Sequence, residues 1–182
     1  MNGTIGIYSK NCWIEEVLQE ATIYIHDGVI LEIKLGESVP SEANVIDYNT
    51  AIVMPGAIDA HVHINEPGRT EWEGFETATK AAARGGITTI VDMPLNSSPV
   101  VTTLSAFKDK LEASKHKLYA NCGFWAGATM TSVEDVVALI EEGCLGVKVF
   151  LSHSGIDEFP NCLLYTSPSP RDQRGSRMPS SA

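Results

Sequence analysis

The chain has 182 residues, 43% of them hydrophobic, and carries a formal charge of −10. That length suits one medium domain and falls short of the roughly 250 residues of a complete (β/α)8 barrel. The acidic balance speaks against nucleic acid and anionic membrane as partners, and no run approaches the ~20 apolar residues that span a bilayer.

Residues 1–53 read as short strands and turns. Ala21–Ile25 and Val29–Ile33 are β-branched-rich runs separated by His26-Asp27-Gly28, a hairpin signal because glycine tolerates a positive φ. Ser38–Asn44 reads as a loop and Val45–Val53 as further strand. No catalytic spacing occurs here, so the segment is expected to be scaffold.

The stretch from Met54 to Phe75, MPGAIDAHVHINEPGRTEWEGF, differs. In an extended strand Ala57, Asp59, His61 and His63 share one face, while Ile58, Ala60, Val62 and Ile64 share the other. An apolar face opposite one that turns polar towards its C-terminal end suits the first strand of a parallel barrel. It would pack outward on helices and bring two imidazoles to the rim. At that spacing His61 and His63 can hold one divalent metal; the alternative is a pair of surface histidines on an edge strand. Asp59 either orients a ligating histidine or faces other lumen groups.

Beyond it strands and helices alternate, as βαβ units do. Glu73–Arg84 is expected to be a helix with Phe75, Ala78 and Ala82 on one face, stopped by Gly85-Gly86. Ile87–Met93 is the second strand. Thr103 caps a helix presenting Leu104, Phe107 and Leu111, and Leu118–Phe124 is the third strand. Ser132 and Asp135 resemble a capping box ahead of the stripe Val133, Val136, Val137 and Ile140. Gly143 ends that helix, and Leu145–Phe150 is the fourth strand. Four βα units over 54–161 make half a barrel, an incomplete domain expected to fold poorly alone, since its terminal strands lack partners.

Lys148 lies on the fourth strand between Val147 and Val149. Pointing it among the helices would bury an ammonium, which costs several kcal/mol or forces deprotonation. The lumen or its rim is therefore expected, either as a functional lysine or as one paired with a structural carboxylate.

These residues carry a resemblance. The segment is similar to the cyclic amidohydrolases, the superfamily of dihydroorotases, dihydropyrimidinases and allantoinases, and HVHINEPGRTEWEGFETATKAAARGGITTIVDMPLNS resembles the allantoinases most. The likeness runs from about Gly3 to Pro160. It implies that residues 1–53 belong to a small β-sandwich completed by C-terminal strands. It also implies that Lys148 is carboxylated by carbon dioxide and bridges two divalent metal ions, with His61 and His63 on one of them. Zinc is the first choice of metal, and manganese or cobalt also suit such ligands. Two further histidines and an acid/base aspartate are implied beyond Asn161. The implied reaction is metal-dependent hydrolysis of a cyclic amide, (S)-allantoin to allantoate, by a full-length parent that is a homo-oligomer; the fragment itself is expected to be inactive.

Asn65 stands where dihydroorotases carry an arginine for the substrate carboxylate, so it offers amide hydrogen bonds without charge. Asn96 falls where relatives place a substrate-contacting asparagine, or else forms a turn beside Pro94 and Pro99. Glu66 and Arg69 are either substrate groups or a salt bridge shaping the loop behind the histidines. For His153, capping or solvent exposure is expected. The competing readings are a dihydroorotase, a hydantoinase or dihydropyrimidinase, and a non-catalytic dihydropyrimidinase-like scaffold protein; retention of His61, His63 and Lys148 favours an enzyme. The N-terminus shows no basic segment followed by an apolar core. The four scattered cysteines read as free thiols in a reducing compartment, so the cytoplasm is expected.

From Cys162 the composition changes. CLLYTSPSPRDQRGSRMPSSA is rich in Ser, Pro and Arg and has no period, which a disordered tail permits. The reading preferred here is a translated sequencing adapter: Cys162–Asp172 matches the start of a transposase adapter, Ser176–Ala182 its far end, and 173–175 a sample index. On that reading the native sequence stops being legible at about Asn161.

Overall fold

The computed structural model describes residues 3–36 and 44–162. Two compact units divide between Pro55 and Gly56.

The first unit is a mixed sheet. β1 (Ile5–Ile14), β2 (Val17–His26) and β3 (Val29–Leu35) run antiparallel to their neighbours, and β4 (Val45–Asp47) and β5 (Ile52–Val53) both pair parallel with β1. The expected hairpin is present. Asp27 at φ 48° and Gly28 at φ 79° supply the left-handed pair that a tight two-residue turn requires. β1, which the sequence reading did not resolve, is the strand to which β2, β4 and β5 all bond. Tyr8, Cys12, Ala21 and Tyr24 are buried here. Most of the expected loop at 38–44 lies outside the described residues.

The second unit holds four parallel strands in sequence order: β6 (Ala57–Val62), β7 (Ile87–Asp92), β8 (Asn121–Gly127) and β9 (Gly146–Lys148). Between them run α1 (Phe75–Arg84), α2 (Leu104–Ser114) and α3 (Val136–Glu141), the last preceded by a 3₁₀ turn at Val133–Asp135. This is the expected half-barrel of βα units. Its main core lies between sheet and helices, where Ile64, Phe75, Ile90, Phe107, Phe124 and Leu139 pack together. Phe124 meets Phe75 and Phe107 at 6.2 and 5.7 Å between centroids with the rings inclined by 70°, the edge-to-face arrangement that aromatic quadrupoles favour.

Local signals fixed most element ends. Gly85 caps α1, and Gly86 turns the chain out at φ 82°. Thr103 caps α2 by accepting the Ala106 N–H on its hydroxyl at 3.3 Å. Thr103→Ala is therefore expected to cost about 1 kcal/mol in a urea titration of the full-length protein.

Two expectations need correction. The third strand starts three residues later than Leu118, because Tyr119 N–H is spent on the Thr79 hydroxyl of α1 rather than on a ladder. The capping box before α3 does not form. Ser132 Oγ instead accepts the Thr129 N–H, and its carbonyl takes the Asp135 N–H. The stripe is also out of phase. Within α3 it is Leu139 that faces the core, while Val137 is 65% and Ile140 42% exposed. Among the cysteines, burial pushes the Cys122 thiol up to about 12 and that of Cys144 to about 11, which keeps both protonated and unreactive. Residues 163–182, to which the adapter reading mainly applies, lie outside the described residues; Cys162 itself is buried, with its N–H on the Phe150 carbonyl.

Candidate metal centre

The alternation holds at the C-terminal end of β6 only: the ladder shifts between Asp59 and Val62, which sets Asp59 opposite Ile90, and Ile58 is 68% exposed rather than packed on helices. Val62 and Ile64 pack into the helix-side core, which turns His61 and His63 to the lumen face at the C-terminal end of β6. Their rings stand 5.4 Å apart between centroids, inclined by 45°. Two imidazoles sharing one tetrahedral ion, at about 2.1 Å from each nitrogen, would place their centroids roughly 5 Å apart. The observed pair fits that requirement. His63 is also oriented. The Leu95 carbonyl, 2.9 Å from Nδ1, can only accept, so Nδ1 is the donor, and in the neutral imidazole Nε2 is the nitrogen with the lone pair. Asp59 touches neither ring; its Oδ1 accepts the backbone N–H of His61 at 3.0 Å and so holds the strand end.

Lys148 is the last residue of β9. Its neighbour Val147 packs against the helix-side core, so Lys148 faces the lumen. Its Nζ lies 4.9 Å from the Phe150 ring centroid, and among the described residues no carboxylate pairs with it. The histidines and Lys148 share one sheet face and one end of the strands, on the two edge strands. Following the ladders from Val62 to Asp92 to Phe124, and then the β8–β9 register in which Gly127 faces Lys148, places Lys148 three residues beyond the position level with Val62. An eight-stranded barrel of shear 8 accumulates about one residue of stagger per strand, which matches this offset over three neighbours. Among the described residues no three His, Cys, Asp or Glu side chains gather to hold a metal.

Trp125 lines the same lumen face, its indole N–H reaching across β7 to the Ala60 carbonyl at 3.0 Å. Gly146 leaves room for that ring, since a Cβ there would lie 2.2 Å from it.

Asn65 is 8% exposed, and its Oδ1 is buried without a hydrogen-bond partner among the described residues. Asn96 is half-buried, and its carbonyl accepts from Arg69 at 2.7 Å. Glu66 and Arg69 do not pair with each other. Glu66 binds Lys117 and accepts the Phe75 N–H at 3.0 Å, which caps α1 with a carboxylate from a distant loop. Arg69 instead pairs with Glu158 at 2.8 Å, which holds the carboxyl of Glu158 below its usual range. Gly68, at φ 88°, lets this loop meet the next one, where a Cβ would fall 2.4 Å from the Ser98 carbonyl. His153 is exposed and takes the Gly155 N–H on Nδ1, turning a loop rather than capping a helix.

The sequence reading missed a buried ion pair, Asp92–Lys110, 2.6 Å apart with side chains 0% and 1% exposed. Burial pushes the Asp92 carboxyl up to about 6 against the opposing pull of Lys110. One signal was available: Lys110 lies three residues after Phe107, inside the buried stripe of α2.

Comparison with known proteins gives the same class. The amidohydrolase family model matches residues 52–159, and the chain belongs to the amidohydrolase family. It is 44% identical over 156 residues to a mitochondrial allantoinase of Aquarana catesbeiana, covering 85% of this chain and 32% of that one. It is 51% identical over 122 residues to an allantoinase of Streptomyces avermitilis, covering 67% and 27%. Among solved structures, an L-hydantoinase (dihydropyrimidinase) from Arthrobacter aurescens superposes with a TM-score of 0.77 at 29% identity, over 87% of this chain and 36% of that one. The chain thus spans about a third of the length of the relatives it matches.

Proposed function

We propose that the chain is the part of an allantoinase-type enzyme that carries the first metal ligands, and that the full-length protein hydrolyses (S)-allantoin to allantoate. The reading is carried by one observation: a pair of imidazoles at one-ion separation on a strand end, in a chain 44% identical to a protein named allantoinase. His61 and His63 hold one divalent ion. Lys148 would supply an anionic oxygen ligand for a second ion once its neutral amine has added carbon dioxide, forming an N–C bond and releasing one proton to leave a carbamate. The lumen orientation of Lys148 and its lack of a carboxylate partner among the described residues support that role. Metal ions held by these residues would supply activation of a water, whose pKa such ions lower from 15.7 to about 7, and polarisation of the scissile carbonyl. Asn65, with a buried amide oxygen left unpaired, and Asn96 bind the neutral ring and its ureido arm by hydrogen bonds. The remaining ligands and the acid/base aspartate come from later strands.

Zinc is the proposed metal, and the full-length protein is proposed to be a homo-oligomer of the cytoplasm. Among the described residues no helix is long and apolar enough to cross a membrane. The hydantoinase likeness favours a second reading, a hydantoinase with the same metal chemistry. The test is an assay of the full-length gene product with allantoin, dihydroorotate and dihydrouracil. Turnover of allantoin in preference to the other two is expected; a preference for dihydrouracil would establish the second reading, and one for dihydroorotate would overturn both.

A further inference from the structure

The Asp92–Lys110 pair is wholly buried on the helix side of the sheet. A buried ion pair is generally matched or bettered in stability by apolar residues of the same volume. This one lies among Phe75, Phe107 and Ile64, where such residues would pack readily. Its contacts indicate a different use. Asp92 Oδ1 accepts the Ile64 N–H at 2.7 Å, while Oδ2 pairs with the ammonium at 2.6 Å. Lys110 Nζ donates to the Ile64 carbonyl at 2.9 Å and to Ser97 Oγ at 3.1 Å.

The ion pair therefore grips both polar groups of the residue that follows His63. The Ile64 N–H belongs to the peptide joining it to His63, so the Asp92 bond fixes ψ of that histidine. The Leu95 carbonyl, three residues beyond Asp92, fixes the rotation of its ring. Backbone and ring of His63 are thus both set from the β7 side, and Lys110 ties α2 to the same point. Ser97 carries the arrangement into the loop that contains Asn96.

We propose that Asp92 and Lys110 are positioning residues for metal capture at His63, locking its imidazole in a ligating pose before the ion arrives. This inference rests on the reading of His61 and His63 as ligands. It gives the buried pair a role in metal affinity, in addition to whatever it does for the fold.

The test uses the full-length protein loaded with cobalt, read by metal affinity and by the visible bands of the bound ion. In Asp92→Leu/Lys110→Met the charge is removed as a pair, so a cooperative thermal transition is expected to persist. Cobalt affinity is expected to fall about tenfold or more, the usual size of effect when an orienting partner of a ligand is lost, and the visible bands are expected to shift. A purely structural pair would move the melting temperature and leave both readouts unchanged; a folded variant with wild-type affinity and bands overturns the proposal. If that variant does not fold, Asp92→Asn/Lys110→Met keeps an acceptor for the Ile64 N–H and loses only the donor to its carbonyl, so a smaller fall in cobalt affinity of the same sign is expected, and wild-type affinity and bands in it overturn the proposal. His63→Ala serves as the control. If it leaves cobalt affinity and bands unchanged, the ligand reading itself fails, and the inference fails with it.

Discussion

In the full-length protein, Lys148→Ala is expected to remove the bridged metal pair and the hydrolytic activity together. The lumen position of Lys148 at the end of β9, with no carboxylate beside it among the described residues, leaves the lysine free to become an anionic ligand. On the proposed function, alanine would supply no donor and the second ion would lose its link to the His61–His63 site. Metal catalysis of this kind is worth several kcal/mol, and at 1.36 kcal/mol per decade the loss in kcat/KM is about 10³-fold or more. Metal analysis of the purified variant and an allantoin assay check the two halves of the prediction. A variant with both ions still bound at wild-type occupancy would refute the bridge. A short carboxylic acid added to the alanine variant occupies the space of the missing carbamate and is expected to restore part of the rate.

The second large effect concerns Lys110 alone. Lys110→Met leaves the Asp92 carboxylate buried without its cation, and breaking such a pair typically costs about 3–5 kcal/mol. The loss should depend on pH. Burial already pushes the Asp92 carboxyl up to about 6, and removing the ammonium eliminates the opposing, lowering influence, so the folded value rises further. The unfolded value stays near the ordinary ~3.9. Between the two values the native state binds more protons than the unfolded state, so stability at this site rises as pH falls and is lost as pH rises through the folded value. Urea titrations of full-length wild type and variant at pH 7.5 and pH 5 should show the larger difference at pH 7.5. Equal differences at both pH values would mean that the Asp92 charge is not the cause. The paired replacement of Asp92 and Lys110 is expected to avoid the part of this penalty that comes from the lone buried charge, and with it the pH dependence, leaving the cost of the unpaired Ile64 N–H and C=O.

Residues that act through their own strand or helix were legible in the sequence, and residues that act through a distant partner were not. Period-two alternation placed His61 and His63 on one face of β6 and Val62 and Ile64 on the other, because a strand's pleat depends only on its local backbone. The flanking valine put Lys148 in the lumen by the same logic. Thr103 and Gly85 marked helix ends because capping satisfies N–H and C=O groups within a few residues. The expected phase of α3 was wrong: Ser132 turns its hydroxyl back to Thr129, a 3₁₀ turn stands before the helix, and Leu139 is the residue that faces the core. The start of β8 was misplaced because Thr79, on another element, takes the Tyr119 N–H.

The sequence by itself determined which side chains face the lumen, where the βα units fall, and that two imidazoles are delivered to a strand end. Tertiary structure alone decided how those imidazoles are held. The Leu95 carbonyl on Nδ1 of His63, the Asp92–Lys110 grip on Ile64 and the Glu66 carboxylate on the N-terminus of α1 each join residues from separate strands, helices or loops. Spacing along a chain encodes direction relative to the local backbone. Which partner waits there depends on how buried polar groups, costly to leave unpaired, find one another when the elements pack.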